Sequence, residues 1–173
     1  MLLVDDHIEN LVALEALLTE LGQNIVRAES GLDALRLLLH QEFALIILDV
    51  DMPIMNGFET AALIREREKS RHTPIIFLTA INKAEQHIFK GYSLGAVDYL
   101  TKPFVPEVLR AKVAAFVELY KKTEQVKGQA HLLQEMVSEL ASSNDEIRKL
   151  NVELQSERDF VSTVLDTADS IIV

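Results

Sequence analysis

The sequence feature that most restricts the fold is an apolar run at residues 43–48 that ends at Asp49. A half-buried strand alternates polar and apolar residues, whereas this run contains no polar residue. It therefore predicts a strand that is covered on both faces, as in parallel sheets. Turn residues follow it at once, with Pro53 and Gly57 among them. Packing does not favour a carboxylate at the end of such a strand, so Asp49 is a candidate for chemistry.

Short apolar segments alternate with helical patterns along the first part of the chain. The predicted strands cover residues 2–4, 25–26, 43–48, 75–78 and 96–100. The predicted helices cover 8–21, 31–40, 57–69, 83–91 and a segment from about 106 onward. This alternation implies right-handed crossovers and a five-stranded, doubly wound parallel α/β sheet. We expect the first domain to span residues 1–104, with its fifth helix continuing beyond it.

Composition excludes several classes of protein and site. The 173 residues include no Cys, which excludes disulfides, thiolate metal sites and cysteine nucleophiles. The net charge is −10 and neither part of the chain has a basic stripe, so we expect no direct nucleic-acid partner. No apolar stretch reaches the roughly 20 residues of a membrane span, so we expect no membrane contact and a cytoplasmic location.

A different pattern begins beyond Pro106, where apolar residues recur every seven positions. They are Leu119, Val126, Leu133, Leu140, Ile147, Leu154 and Val161, followed by Ala168. A strict heptad predicts a coiled coil, and we expect a parallel homodimer paired over residues 119–168. With these residues at d, the a positions include Asn144, Asn151 and Arg158, which weaken the seam but select a register. A competing column at Met136, Ser143 and Leu150 leaves a register shift open.

The last residues, 169–173, resemble the start of a strand and the entry to a PAS-type sensor domain. We therefore expect a further domain after Val173.

Polar residues collect at the predicted carboxyl ends of the strands. Asp5 and Asp6 follow the first strand, Asp49 the third, Thr79 the fourth and Lys102 the fifth. In an open parallel sheet these ends share one edge, which is where sites form. Clustered carboxylates repel one another unless a cation joins them, and oxygen ligands favour Mg²⁺. The sequence therefore predicts a magnesium site, or one for the similar Mn²⁺, at this edge.

The whole arrangement resembles the receiver domain of two-component response regulators over nearly all of residues 1–121. The matching segments are LVDD (3–6), ILDVDMPIMNG (47–57), LTA (78–80), GAVDY (95–99) and TKPF (101–104). The resemblance implies a flavodoxin-like, CheY-like sheet of order 2-1-3-4-5. It also implies a regulatory phosphoacceptor domain of a phosphorelay, not an enzyme, whose partner is a histidine kinase or phosphotransfer protein.

The resemblance also implies residue roles. Asp49 would be the phosphoacceptor, and the metal would be held by Asp5, Asp6, Asp49 and the backbone carbonyl of Asp51. Phosphoryl binding and switching would involve Thr79, Ala80, Tyr99 and Lys102, and the Lys102–Pro103 peptide would be cis. Tyr99 would then rotate inward, and the face formed by the fourth helix, fifth strand and fifth helix would repack and signal through the coiled coil to an output domain.

Simpler interpretations stay open for single residues. Asp5 and Asp6 could cap the first helix, Thr79 and Lys102 could be an ordinary strand-end hydroxyl and surface charge, and Tyr99 could be a core aromatic. His7 is expected to face solvent, and Glu9 and Asn10 could tune access or dephosphorylation.

Two other functions compete with the phosphoacceptor. One is a phosphate-independent dimerisation scaffold. The other is a phosphatase of the haloacid dehalogenase type, suggested by the D-x-D pattern of Asp49 and Asp51.

Overall fold

The computed structural model describes residues 1–80 and 98–171. Its sheet has five parallel strands in the order β2-β1-β3-β4-β5, which confirms the predicted doubly wound sheet. The strands are β1 (Leu2–Val4), β2 (Val26–Ala28), β3 (Ile46–Asp49), β4 (Ile75–Ala80) and β5 (Asp98–Lys102). The strand order reverses between β1 and β3, so their carboxyl ends border the crevice where ligands bind in such sheets.

Among the described residues, four helices accompany these strands, and two of them begin at a side-chain cap. They are α1 (Ile8–Leu18), α2 (Gly31–His40), α3 (Gly57–Glu66) and a long C-terminal helix (Pro106–Ile171). The Ser30 side chain caps α2 by accepting a hydrogen bond from the backbone N–H of Asp33, 3.1 Å away. Asn56 and Glu59 form a reciprocal capping box at the start of α3. Asn56 therefore fixes the beginning of α3 immediately after the loop that follows Asp49.

The two faces of the sheet bury separate apolar clusters. One cluster joins Leu2, Val4, Ile46, Leu48, Ile75 and Phe77 to residues of α2 and α3. The other joins Leu3, Ile47, Ile76 and Leu78 to α1 and to Leu109, Val113 and Val117 of the C-terminal helix. Alternate residues of the three central strands, β1, β3 and β4, thus enter opposite clusters, which explains why these strands carry no polar alternation.

Several predicted boundaries were wrong. β2 starts one residue later than expected and extends to Ala28, and α3 ends at Glu66 instead of residue 69. Lys102 belongs to β5 instead of lying past it. His7, not Asp5 or Asp6, is the residue at the N-cap of α1. The predicted helix over 83–91, and with it part of the predicted switching face, lies outside the described residues.

The chain divides into two compact units, Met1–Lys122 and Thr123–Val173. The described part of the second unit is helical up to Ile171, so the predicted strand does not begin at residues 169–171. A further domain beyond Val173 stays a prediction. The seven predicted seam residues from Leu119 to Val161 lie on the C-terminal helix with exposed fractions of 52–66%. Across residues 1–80 and 98–171, no helix combines the length and apolar character that crossing a membrane requires.

Candidate functional site

The carboxyl edge of the sheet brings together the charged residues that the sequence predicted there. Asp49 ends β3 and pairs in register with Leu78 of β4. One residue further along, Thr79 pairs with Thr101, and Ala80 pairs with Lys102. Asp5 directly follows β1, the other neighbour of β3. Four adjacent strands therefore contribute to a single site.

Lys102 joins two carboxylates at the centre of this site. Its Nζ lies 2.6 Å from Oδ1 of Asp49 and 3.0 Å from Oδ2 of Asp5. The side chains of Asp5 and Asp49 are 0% and 7% exposed, whereas that of Lys102 is 31% exposed. Two nearly buried negative charges therefore share one positive charge, which leaves an excess negative charge of about one among these three side chains.

Burial and charge together shift the pKa of both Asp49 and Lys102. Burial raises the pKa of Asp49, and the hydrogen bond and charge of Lys102 only partly oppose it. Burial by itself lowers the pKa of Lys102, but its contacts with Asp49 and Asp5 outweigh burial and raise it. Lys102 therefore stays protonated at neutral pH. Further positive charge bound near Asp49 would stabilise the ionised form of its carboxylate.

Asp5 is held by donors on both sides. Its Oδ1 accepts hydrogen bonds from the backbone N–H of His7 at 2.9 Å and from Nδ2 of Asn10 at 2.9 Å. The same Nδ2 lies 3.0 Å from Oδ2. Sequence reasoning gave Asn10 only a tuning role and missed this contact. The spacing of the two residues could have indicated the contact. Asn10 comes five positions after Asp5 and therefore lies in the first turn of α1.

Asp6 and His7 extend the acidic site toward solvent. His7 is exposed as expected, and its Nδ1 lies 3.0 Å from Oδ1 of Asp6. Asp5, Asp6 and His7 each offer a ligand atom, and these atoms lie within 4.8 Å of one another. Carboxylate oxygens suit a hard divalent cation, and the excess negative charge at Asp5 and Asp49 gives a cation a further reason to bind. The donor set therefore fits a metal ion.

The loop between β3 and α3 orients Asp49. The backbone N–H of Asp51 donates to Oδ2 of Asp49 at 3.0 Å, so each oxygen of that carboxylate has its own partner. The loop is tight because Gly57 N–H donates to the carbonyl of Val50 at 3.0 Å. A Cβ on Gly57 would lie 2.3 Å from the carbonyl oxygen of Asp49. Glycine is therefore required here by close approach of two backbone segments.

Ile54 lies in the same loop in an unusual backbone conformation. Its φ is +67°, and its side chain is 99% exposed. Left-handed backbone is costly for a β-branched residue, and no burial of this side chain offsets the cost. The β3–α3 loop is therefore locally strained beside the candidate acceptor.

The remaining predicted residues lie on β4 and β5. Thr79 is buried and Ala80 is half-buried at the end of β4. The Tyr99 ring stacks on Phe77, with centroids 5.3 Å apart and an interplanar angle of 24°. The half-buried ring thus packs against the core cluster between the sheet and α2–α3. The Lys102–Pro103 peptide bond is cis.

Comparisons with known proteins agree with this geometry. The family model for the response regulator receiver domain matches residues 1–114. A probable transcriptional regulator, ycf29 of Pyropia yezoensis, is 38% identical over 109 residues, which cover 63% of this chain and 49% of that protein. The transcriptional regulatory protein GltR of Pseudomonas aeruginosa is 38% identical over 127 residues, covering 73% of this chain and 52% of that protein. The chain thus spans about half the length of these curated relatives.

Solved structures give the same match. The chemotaxis response regulator CheY4 of Vibrio cholerae is 34% identical with a TM-score of 0.62, covering 66% of this chain and 95% of that one. The receiver domain of a sensor histidine kinase from Pseudomonas aeruginosa PAO1 is 32% identical with a TM-score of 0.61, covering 68% and 95%. That structure is described with a magnesium ion coordinated in its active-site cleft.

Proposed function

Because the chain belongs to the response regulator receiver family, we propose that Asp49 accepts a phosphoryl group from a phosphohistidine donor. The observation that carries this proposal is the position of its carboxylate, 2.6 Å from Lys102 Nζ at the carboxyl end of β3. An oxygen of Asp49 attacks the phosphorus and forms a P–O bond. The P–N bond to the donor histidine breaks, and its electron pair returns to the imidazole. The phosphoryl group stays on Asp49. The module therefore acts as a regulatory phosphoacceptor, unlike an enzyme that releases its product at every turnover.

The neighbours of Asp49 have distinct roles in this proposal. The Asp51 N–H holds Oδ2, which fixes the plane of the carboxylate before attack. Lys102 already contacts Oδ1 and would transfer its contact to an oxygen of the incoming phosphoryl group. Thr79, one register step beyond Asp49, would donate its hydroxyl to another.

The acidic side chains provide the metal site of this proposal. Asp5, Asp6, Asp49 and the backbone carbonyl of Asp51 would hold Mg²⁺ or the similar Mn²⁺. When bound, such an ion supplies positive charge that neutralises the equatorial oxygens during transfer. The support comes from the oxygen-rich donor set and from the excess negative charge at Asp5 and Asp49.

We also propose that the signal leaves through the C-terminal helix. Phosphorylation replaces the Asp49 carboxylate, which carries one negative charge, with an acyl phosphate of about 1.5 to 2 negative charges, and it would draw Thr79 toward the site. Tyr99, which stacks on Phe77, and the helix that follows β5 would adjust to that movement. The heptad residues of this helix would pair with a second copy of the chain, and the output domain would follow. A histidine kinase or phosphotransfer protein in the cytoplasm would be the donor.

The proposal is tested by phosphoryl uptake. The chain is incubated with acetyl phosphate and Mg²⁺, and intact mass is measured. We expect the wild type to gain the mass of one phosphoryl group and Asp49→Asn to gain none. Asp51→Asn is the matched control, because its exposed side chain has no proposed role and its backbone carbonyl is retained. Absence of uptake by the wild type, or equal uptake by Asp49→Asn, overturns the proposal.

The scaffold and phosphatase interpretations receive less support. Membership of the receiver family does not favour the D-x-D phosphatase. A pure scaffold predicts the same dimer geometry with and without beryllofluoride, an analogue of the bound phosphoryl group. Solution scattering of both states distinguishes the scaffold from the switch.

A further inference from the structure

The apolar column of the C-terminal helix needs a partner with the same repeat. Val126, Leu133, Leu140, Ile147 and Leu154 are 52–66% exposed and spaced seven residues apart. On a straight helix a seven-residue repeat drifts by about 20° per heptad, so it forms a continuous seam only when two helices supercoil. A second copy of this chain supplies a column with the same repeat and length. The inference that follows rests on the homodimer of the proposed function, and it specifies which residues of the two helices face each other.

A coiled-coil seam requires two columns, and two candidates flank this first one. We call residues 119, 126, 133, 140, 147, 154 and 161 the common column. The plus-four column lies four residues after each member and comprises Thr123, Ala130, Val137, Asn144, Asn151, Arg158 and Leu165. The plus-three column lies three residues after each and comprises Lys122, Gln129, Met136, Ser143, Leu150, Glu157 and Val164. The common column can pair with either, which defines two registers.

Before Leu140 the plus-four column is the better second column. It would bury Ala130 and Val137, whereas the plus-three column would bury Lys122 and Gln129. A charged side chain at a core position costs stability unless it is paired. Lys122 contacts Glu118 of its own helix at 2.9 Å, a surface contact that burial in the seam would disturb. The first half of the helix thus favours the plus-four register.

After Leu140 the preference reverses. The plus-four column would bury Asn144, Asn151 and Arg158 in succession. The plus-three column replaces Asn151 with Leu150. The two columns are otherwise alike here, because each has one charged member, Glu157 or Arg158, and each ends on an apolar residue, Val164 or Leu165. Leu150 and Val164 are 58% and 50% exposed on the isolated helix, so both have apolar surface to bury.

Charges beside the seam favour the same reversal. In the plus-three register of a parallel dimer, Glu153 flanks the core opposite Arg158 of the second copy, and Glu146 lies opposite Asn151. In the plus-four register the flanking pairs of this half join Ser143 to Arg148, Leu150 to Gln155 and Glu157 to Ser162, so no pair joins opposite charges. Only the plus-three register therefore brings opposite charges together after Leu140.

We infer that two copies pair in parallel with a seam that changes column at Leu140. The core then runs through Val137, Leu140 and Ser143, two successive steps of three residues. Such a three-residue insertion overwinds a coiled coil locally. It coincides with residues 142–145, Ser-Ser-Asn-Asp, which have weak helix propensity and adapt most easily. If the point at which the seam changes column moved by one heptad, the seven residues in between would rotate about the helix axis by roughly 50°. Such a rotation is a movement by which the receiver could signal along the helix.

Single cysteines test this inference cleanly because the chain has none of its own. Four full-length variants are made: Gln129→Cys, Ala130→Cys, Leu150→Cys and Asn151→Cys. Their rates of disulfide cross-linking are compared on non-reducing gels, since a disulfide requires Cβ atoms about 4 Å apart. We expect Ala130→Cys to cross-link several-fold faster than Gln129→Cys, and Leu150→Cys several-fold faster than Asn151→Cys.

Each other outcome has a defined meaning. A faster Asn151→Cys than Leu150→Cys shows one uninterrupted register, which overturns the register change and leaves the dimer intact. Equal rates within both pairs overturn a fixed seam. Absence of cross-linking with a monomer in sedimentation overturns the dimer, while phosphoryl uptake by the same samples still reports on Asp49. The pair Ser143→Cys and Asn144→Cys repeats the comparison with Leu150 in place, and we expect Ser143→Cys to be faster.

Discussion

Removing the positive charge at the centre of the site should destabilise the receiver unit, whereas removing one negative charge should not. Lys102 compensates two carboxylates whose side chains are 0% and 7% exposed. In Lys102→Met both carboxylates remain, but the lysine that compensates their charge is lost. Breaking a buried ion pair from one side costs about 3–5 kcal/mol, and the 31% exposure of Lys102 lowers our expectation to roughly 2–3 kcal/mol. Asp49→Asn instead leaves one pair, Asp5 with Lys102, and should raise stability by up to about 1 kcal/mol.

The stability that Asp49→Asn gains over the wild type should decrease as pH falls. Burial raises the pKa of Asp49 in the folded chain above the ordinary 3.8. The ionised carboxylate therefore destabilises the fold at every pH above the folded-state pKa. As pH falls through that pKa the wild type takes up a proton and becomes more stable relative to Asp49→Asn. The contribution of this carboxylate to the difference should vanish below pH 3.8, where both states of the wild type are protonated.

Urea unfolding with a metal chelator measures these effects. Near-ultraviolet circular dichroism reports mainly on packed aromatic rings such as Phe77 and Tyr99 of the receiver unit, whereas the long helix contributes strongly to the far-ultraviolet signal. Lys112→Met is the matched control, because it removes a lysine paired with the more exposed Asp98 and should cost less than about 1 kcal/mol. Added Mg²⁺ should restore part of the loss in Lys102→Met. Equal losses in Lys102→Met and Lys112→Met, or a loss in Asp49→Asn as large as in Lys102→Met, would refute the charge argument.

Two backbone substitutions test the loop beside Asp49. Gly57→Ala places a Cβ 2.3 Å from the Asp49 carbonyl oxygen and should cost about 1–3 kcal/mol in urea unfolding while slowing phosphoryl uptake. Gly128→Ala is its control: nothing lies within 4 Å of the new Cβ, so it should stabilise the helix by about 0.5–1 kcal/mol and leave uptake unchanged. Normal uptake and stability in Gly57→Ala would contradict the close-approach argument. Ile54→Gly should relieve the positive φ and raise the free energy of unfolding by about 0.5–1 kcal/mol, and a decrease would show that this conformation is not strained.

The sheet and its charged edge could be predicted from the sequence because both follow from simple rules. Strands buried on both faces carry unbroken apolar runs, and parallel strands end at one edge. That placed Asp49 near Lys102 across 53 residues of sequence. The strand order came from the family resemblance, since periodicity does not distinguish one order of five similar strands from another.

The contacts of Asp5 could not be predicted in the same way. They involve a backbone N–H of His7 and the amide of Asn10, and their geometry depends on where α1 begins. The sequence offered Asp5 and Asp6 as caps of that helix, but the N-cap is His7. A shift of one or two residues in a helix start decides which carboxylate receives which donor, and local propensity does not fix boundaries that closely.

The charged site and the C-terminal helix are linked through β5. Lys102 is the last residue of β5, and the C-terminal helix begins four residues later at Pro106. Leu100 of β5 shares an apolar cluster with Leu109, Val113 and Val117 of that helix, and Asp98 of β5 pairs with Lys112. Close-packed elements of this kind move together, because separating them exposes apolar surface and opens an ion pair. Under the proposed function, a phosphoryl group that pulled on Lys102 would therefore act on the helix through β5, and the same lysine that compensates Asp49 would transmit its modification.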